Sequence, residues 1–155
     1  MHRPTSIERE DIHDLLCRFF LAFDERDWTA MEGTLADRLA IDYASSGREP
    51  PTEMSGAAFV SRRRDAVDEL SKQHSFSNLL LTTASGRLKA RCNYLILRFA
   101  KGGVTAGEDF FHSCGAYEFD FIREGEALKI CAITQRALKS WGNRKLHGGS
   151  RKGAN

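Results

Sequence analysis

The chain has 155 residues, of which 41% are hydrophobic and 28% are charged. These proportions are ordinary for a globular protein, so they exclude a wholly disordered chain and a fibrous repeat, and the length suits one domain. The formal net charge is +2, and five basic residues fall within the last seventeen positions. The rest of the chain therefore lacks the dense basic face that nucleic-acid binding requires.

Targeting and metal-binding signals are missing from the sequence. No apolar run approaches the roughly 18 residues that cross a membrane, and the first residues contain no apolar core of a signal peptide. The four cysteines stand singly, without CxxC spacing or flanking ligand pairs. We therefore expect a cytoplasmic protein that has no membrane segment, no disulfide framework and no metal site.

Hydrophobic residues recur at helical spacing in three segments of the first half. The first segment follows a capping box, in which Thr5 and Glu8 are three residues apart, and the second follows Asp27, a residue type that often caps helices. The third carries the arginines Arg62–Arg64 on a face that we predict to be exposed to solvent. The predicted elements are a helix over about 6–24, a short helix after Asp27, a short strand Leu39–Ala44, turns over Ser45–Ser55 and a helix from Ala57 to Leu70.

Strand patterns replace helical ones from residue 76 onward, and turn residues separate four segments. The predicted strands are Ser77–Thr83, Leu88–Phe99, Asp109–Ile122 and Leu128–Leu138. Helices followed by an antiparallel meander predict an α+β fold, in which the helices pack on one face of a curved sheet and leave an apolar pocket. We predict one domain over residues 1–143 and a basic, disordered tail over residues 144–155.

Two residues near the predicted pocket have the chemistry of an acid–base pair. His74 lies between the third helix and the second predicted strand, and Asp24 ends the apolar run of the first helix. A neutral imidazole is a useful base when an acceptor holds its other nitrogen. Each residue also has a purely structural interpretation, His74 as a cap and Asp24 as a helix-end carboxylate. The residues alone leave both alternatives open.

A series of short motifs occurs in order along the chain. They are Phe23-Asp24-Glu25-Arg26-Asp27-Trp28, Ile41-Asp42-Tyr43, His74 with Asn78, Gly115-Ala116-Tyr117, and Trp141-Gly142-Asn143. The ordered set spans about residues 7–143 and resembles the SnoaL-like branch of the nuclear transport factor 2-like superfamily. This resemblance implies a cone-shaped antiparallel sheet that three or four N-terminal helices close.

The resemblance also implies roles for individual residues. In lyases of that family, scytalone dehydratases among them, an aspartate and a histidine form the catalytic pair and a tyrosine polarises the substrate carbonyl. The corresponding residues here are His74, Asp24 and Tyr43. The candidates for substrate binding are Phe20, Phe23, Phe59, Asn78, Tyr94, Arg98, Phe111, Tyr117 and Arg136. The sequence departs from the scytalone enzymes at Arg98 and Gly115, where a second catalytic histidine and a pocket asparagine would fall.

The expected function is that of a lyase or isomerase that acts on an apolar, carbonyl-bearing, polycyclic small molecule and needs no metal or organic cofactor. Two alternatives stay open. Motifs such as His74-Ser75-Phe76-Ser77-Asn78 and Asp120-Phe121-Ile122-Arg123 also resemble β subunits of ring-hydroxylating dioxygenases, which are structural and assemble with a catalytic α subunit. The other alternative is a small-molecule-binding module without catalysis. The family resemblance further implies a homodimer or homotrimer.

Overall fold

The computed structural model describes residues 2–66 and 68–147. The helices are α1 (Ser6–Glu25), α2 (Trp28–Thr34) and α3 (Gly56–Arg64), with short 3-10 turns at Ala44–Ser46 and Arg144–Leu146. The strands are β1 (Leu35–Asp42), β2 (Thr52–Ser55), β3 (Ser71–Ala84), β4 (Arg87–Phe99), β5 (Phe111–Glu124) and β6 (Ala127–Gly142). Within the two described ranges, no helix combines the length and the apolar character needed to cross a bilayer.

Local interactions set both ends of the longest helix, α1. The Thr5 hydroxyl accepts a hydrogen bond from the Glu8 amide at 3.1 Å, and the Glu8 carboxylate accepts one from the Thr5 amide at 2.7 Å, which confirms the predicted capping box. The helix ends where Arg26 adopts a left-handed backbone conformation with φ of 56°. The apolar face of α1 is buried in the core through Ile12, Leu15, Leu16, Phe19 and Phe20.

The predicted meander is confirmed for β3 to β6, which pair antiparallel in chain order, but the sheet as a whole is mixed, which corrects the expectation of a purely antiparallel sheet. Its strand order is β2-β1-β6-β5-β4-β3, and all neighbouring pairs are antiparallel except β1 and β6, which run parallel with Ile41 opposite Ile133. Side chains alternate between the two faces in either direction of pairing, so a sequence pattern cannot distinguish the two. The sheet is curved and does not close on itself, and the whole is the expected α+β cone.

Two element boundaries matter for the site. β3 begins at Ser71 instead of Ser77, so His74 lies within a strand, paired with Ile96 of β4, and not ahead of it. The polar segment that opens β3 has no alternation of apolar residues, and backbone pairing with β4 alone makes it a strand. α3 correspondingly ends at Arg64, earlier than predicted. β2 is a further strand within the segment that we predicted as turns, and it pairs with β1.

The hairpin between β3 and β4 has the turn that the sequence predicts. Ser85 and Gly86 have φ of 52° and 74°, so both central residues of this two-residue turn are left-handed. Such turns match the twist of the strands that they join, and the predicted Ser-Gly turn is confirmed.

The start of the predicted disordered tail is ordered. After the 3-10 turn at Arg144–Leu146, the His147 ring stacks on Phe111 of β5 with their centroids 5.4 Å apart. This contact holds the C-terminal end of the described chain against β5. Residues 148–155, the remainder of the predicted tail, lie outside the described residues.

Candidate active site

A cavity of about 410 Å³ lies against the inner face of the sheet. Alternate residues of β4 and β5 form much of its wall, including Tyr94, Arg98, Phe111 and Tyr117. Residues of α1, α3, β3 and β6, the turn after β1 and the chain end after β6 complete it. A volume of several hundred Å³ with mixed aromatic and polar walls is typical of small-molecule sites. The cone therefore contains a ligand-sized cavity, as expected.

His74 and Asp24 meet at the edge of this cavity. The Nδ1 atom of His74 lies 2.6 Å from Oδ1 of Asp24, and the backbone amide of His74 donates to the same carboxylate at 2.9 and 3.1 Å. Because a carboxylate only accepts hydrogen bonds, it selects the tautomer in which Nδ1 carries the proton. The lone pair is then on Nε2, the nitrogen that the Asp24 contact leaves free, and the His74 side chain lines the cavity.

Arg26 fixes the end of α1 beside the start of β3. Its guanidinium donates to the backbone carbonyl of Leu70 at 2.8 Å and to that of Asp68. Both carbonyls belong to the segment that leads directly into β3. The left-handed Arg26 therefore ties the helix end that carries Asp24 to the strand that carries His74, a positioning role that the sequence did not suggest.

Two phenylalanines of α1 pack on the His74 ring. The Phe23 and Phe20 rings stack on it with centroid distances of 5.1 and 5.8 Å and interplanar angles of 27° and 21°. Burial lowers the pKa of His74 below its ordinary value of 6.5, while the hydrogen bond and the charge of Asp24 act in the opposite direction. The imidazole is therefore neutral at neutral pH, which is the state in which it can accept a proton.

A group of polar side chains with unmet hydrogen-bonding capacity lies deeper in the cavity. The Gln135 amide donates to the Tyr117 hydroxyl at 2.9 Å, whereas its own oxygen and the Tyr43 hydroxyl have no partner among the described residues. Tyr43 is 3% exposed and Gln135 is 6% exposed. Burial raises the pKa of Tyr43, so its hydroxyl keeps its proton. Unpaired buried polar groups are costly, and a polar ligand atom would satisfy them.

Not all of the predicted site residues line the cavity. Of the substrate-binding candidates, those in the wall are Phe23, Tyr94, Arg98, Phe111 and Tyr117. Phe20 and Phe59 lie behind the wall, where Phe20 supports His74 and Phe59 stacks under the Arg63 guanidinium at 4.0 Å.

Asn78 and Arg136 lie away from the cavity, which corrects their predicted placement. Asn78 is exposed at an irregularity in the β3–β4 pairing, where its φ is 53°, so the strand alternation that should have carried it inward is broken. Arg136 lies on the outer side of β6 and pairs with Glu118 at 3.6 Å, because its neighbour Gln135 takes the inward position.

The cavity is more polar than the apolar pocket that we expected. The basic side chains in its wall are Arg48, Arg63, Lys72, Arg98, Lys139 and Arg144. Strand alternation identified only Arg98 among them, because the others come from turns, from strand ends and from α3. We predicted that Arg63 is exposed to solvent, but it is buried, with only 7% of its surface exposed. The spacing of four residues between Phe59 and Arg63 indicates that both lie on the buried face of α3.

Lys72 was also missed by the sequence analysis. It lies two residues before His74 on the same face of β3, and it would have been found had the strand been predicted to begin at Ser71. Among the residues that the structure describes, no group of three or more His, Cys, Asp and Glu side chains is arranged to hold a metal ion.

The family of the chain follows from comparison with known proteins. The model of the SnoaL-like domain matches residues 4–134. A comparison with curated proteins gives no match.

Several solved structures share the fold. The Kfla4162 protein from Kribbella flavida aligns with a TM-score of 0.78 and 17% identity over 90% of this chain and 97% of that protein. A proposed scytalone dehydratase from Novosphingobium aromaticivorans aligns with a TM-score of 0.75 and 10% identity over 96% and 95% of the two chains. Hexachlorocyclohexane dehydrochlorinase LinA-type3 from Novosphingobium barchaimii aligns with a TM-score of 0.69 and 16% identity over 87% and 89%. These likenesses show a common fold, and since the domain model matches most of the sequence, the chain belongs to the SnoaL-like domain family.

Proposed function

We propose that this protein is a small-molecule lyase or isomerase in which His74 is the general base and Asp24 orients it. The observation that carries this proposal is the 2.6 Å contact between His74 Nδ1 and Asp24 Oδ1 at the wall of a ligand-sized cavity. A base held in one tautomer, with its lone pair left free, is the arrangement that general-base catalysis needs. Two proteins of the same fold have names that denote a dehydratase and a dehydrochlorinase, which agrees with elimination chemistry.

In the proposed reaction, Nε2 of His74 removes a proton from a carbon next to a carbonyl group, and the electrons of that C–H bond move to the carbonyl oxygen. Asp24 stabilises the imidazolium that forms. The buried Tyr43 hydroxyl, which has no partner among the described residues, would donate a hydrogen bond to the developing oxyanion.

The second step depends on the substrate. If the neighbouring carbon carries a hydroxyl group, the enolate electrons re-form the carbonyl and a carbon–carbon double bond, and the hydroxyl takes the proton from His74 and leaves as water. If there is no leaving group, His74 returns the proton to a different carbon, and the product is an isomer. Both outcomes use the same base.

The first step can be tested without knowing the natural substrate. Cyclic ketones such as tetralone, incubated with the protein in heavy water, should exchange their acidic C–H protons faster than in buffer, as followed by NMR. The variant His74→Ala should lose this acceleration, by about 10²–10⁴-fold, and Asp24→Asn, which keeps the base, should lose most but not all of it. His13→Ala is the matched control, because His13 is an exposed histidine of α1 outside the cavity wall.

The control variant should exchange protons as fast as the wild-type protein does. Circular dichroism on each variant checks that folding persists. Exchange by folded His74→Ala at the wild-type rate, or no acceleration by the wild-type protein with any ketone of the set, would contradict the proposal.

A further inference from the structure

The cavity wall has an unbalanced charge. Six basic side chains line it (Arg48, Arg63, Lys72, Arg98, Lys139 and Arg144), and within the described chain no Asp or Glu does. The formal net charge of the whole protein is only +2, so this concentration does not reflect a generally basic surface. A concave site lined by one sign of charge attracts ligands of the opposite sign.

Among the described residues, carboxylates form ion pairs with two of these six cations. Arg63 binds the Glu49 carboxylate with two hydrogen bonds of 2.5 and 3.2 Å, and Lys72 donates to Asp68. In the part of the chain that the structure describes, no carboxylate oxygen lies within 4.0 Å of the other four cations. Those four are Arg48, Arg98, Lys139 and Arg144.

Arg98 is the most deeply placed of the four. It is 7% exposed, and its Nη1 donates to the Ser113 hydroxyl at 3.0 Å and to the Phe111 carbonyl at 3.4 Å. Its Nε and Nη2 groups make no hydrogen bond to the described residues. A buried guanidinium that has no counter-charge is energetically costly. Its unbonded edge, formed by Nε and Nη2, is suited to a pair of anionic oxygens.

The position of Arg98 in the sheet adds a second unfavourable contribution to the free energy of folding. Arg98 of β4 is directly opposite Lys72 of β3 in the strand register, and both side chains line the cavity. Like charges directly opposite one another on a sheet face are destabilising. Asp68 pairs with Lys72 and with Arg26, but not with Arg98. An anion bound between these strands would remove the repulsion and pair Arg98.

We propose that the cavity binds an organic carboxylate, with its carboxylate group held by Arg98 and Arg48 and its ring system packed among the aromatic side chains of the wall. The rings available are those of Tyr94, Phe111 and Tyr117. The inference rests on the proposed function where it concerns catalysis. In that case the bound acid, which is aromatic or alicyclic, is the substrate of His74.

The backbone favours a carboxylate over a phosphate. Phosphate sites commonly use a nest of free backbone amides. The turn after β1 lines the cavity, but three of its amides are used within the turn, since Ser46 and Arg48 donate to the Tyr43 carbonyl and Gly47 donates to that of Ala44. Anion binding in the described part of the wall therefore falls to side chains, chiefly to the cations.

The test is equilibrium binding of matched acids and amides. Naphthoate and hydroxynaphthoate, each beside its neutral amide, are titrated into the full chain by calorimetry, with naphthyl phosphate as a third probe. We expect each acid to bind at least about tenfold more tightly than its amide, which corresponds to one good charged contact. Added salt should reduce this preference, because it screens the attraction between acid and cations.

Substitutions of arginines test whether the preference for an acid over its amide arises in the cavity. Arg48→Met should reduce it severalfold, and since Arg48 is exposed, this substitution should leave folding intact. Arg98→Lys, which keeps the charge but loses the planar fork, should reduce it as well. Arg18→Met is the matched control, because Arg18 is an exposed arginine of α1 that pairs with Asp14 outside the cavity, and the preference should be unchanged.

Three results would overturn the inference. The first is that the amides bind as tightly as their acids, or that no acid binds at all. The second is that Arg18→Met loses the preference as much as Arg48→Met does, and the third is that naphthyl phosphate binds more tightly than naphthoate. Binding is measured without turnover, so this result is independent of His74. A clear preference for acids together with normal proton exchange by His74→Ala would refute the proposed function and leave the carboxylate site standing.

Discussion

The protonation state of His74 decides whether the site can work. Burial lowers the pKa of the imidazole below 6.5, and Asp24 partly offsets this through its hydrogen bond and its charge. A lowered pKa keeps the ring neutral at neutral pH, and protonation then occurs only in more acidic solution. Since a protonated ring cannot accept a proton, base catalysis must fail on the acidic side of that pKa.

The pH dependence of proton exchange should therefore have an acid limb below pH 6.5. We expect the rate to be level near neutrality and to fall as the pH decreases through the lowered pKa. In Asp24→Asn the group that raises the pKa of His74 is gone, so the limb should move to lower pH while the plateau rate drops. The measurement is the exchange rate across the acidic range for both proteins. A wild-type limb above pH 6.5, or an unchanged limb in the variant, would refute this explanation.

At the residue level, the sequence predicted the pairing of Asp24 with His74 better than it predicted the side chains around the pair. Asp24 and His74 were identified because they belong to ordered family motifs, and the structure brings them into contact. The side chains that the prediction missed, such as Arg48 and Lys72, come from a turn and from a polar strand start. Neither context has a periodic pattern that would direct a side chain inward.

The element scale is best illustrated by Gly115 on β5. A Cβ atom built at this position would lie 2.1 Å from the Arg136 carbonyl oxygen of β6 and 2.9 Å from a ring carbon of Tyr94. The pairing of β5 with β6 shifts register between Cys114 and Gly115. The glycine therefore allows the backbones of two strands and the ring of a cavity residue to approach closely. A residue with a side chain therefore cannot replace Gly115 unless β6 or the Tyr94 ring shifts.

Gly115→Ala should destabilise the protein by about 1–3 kcal/mol, since the backbone of β6 or the Tyr94 ring must shift. Gly33→Ala is the matched control, because Gly33 lies in α2 and nothing lies within 4 Å of its added Cβ atom. That substitution should raise the free energy of unfolding by roughly 0.5–1 kcal/mol through helix propensity. Urea denaturation of both variants measures the difference. Equal stability of Gly115→Ala and the wild-type protein would show that the close approach is not tight.

For the molecule as a whole, the family motifs predicted the α+β cone, and the structure confirms it. The parallel pairing of β1 with β6 was not predictable from patterns, because it joins strands that lie far apart in the chain. The positive charge of the cavity could not be predicted from the sequence for a related reason. Its cations come from β3, β4, β6, α3, the turn after β1 and the 3-10 turn after β6, and they come together only in the folded protein.

The fold also holds together the pair on which the proposed chemistry depends. Asp24 and His74 are fifty residues apart, and Arg26 joins their elements through the carbonyls that precede β3. This arrangement predicts one tautomer of His74, with the proton on Nδ1 and the lone pair on Nε2.

Long-range proton–nitrogen NMR correlations of the His74 ring test this prediction most directly. At neutral pH the wild-type protein should show a protonated Nδ1 and a bare Nε2, and Asp24→Asn should weaken this preference. A ring that carries its single proton on Nε2, or one that is fully protonated at neutral pH, would contradict a role for His74 as the base.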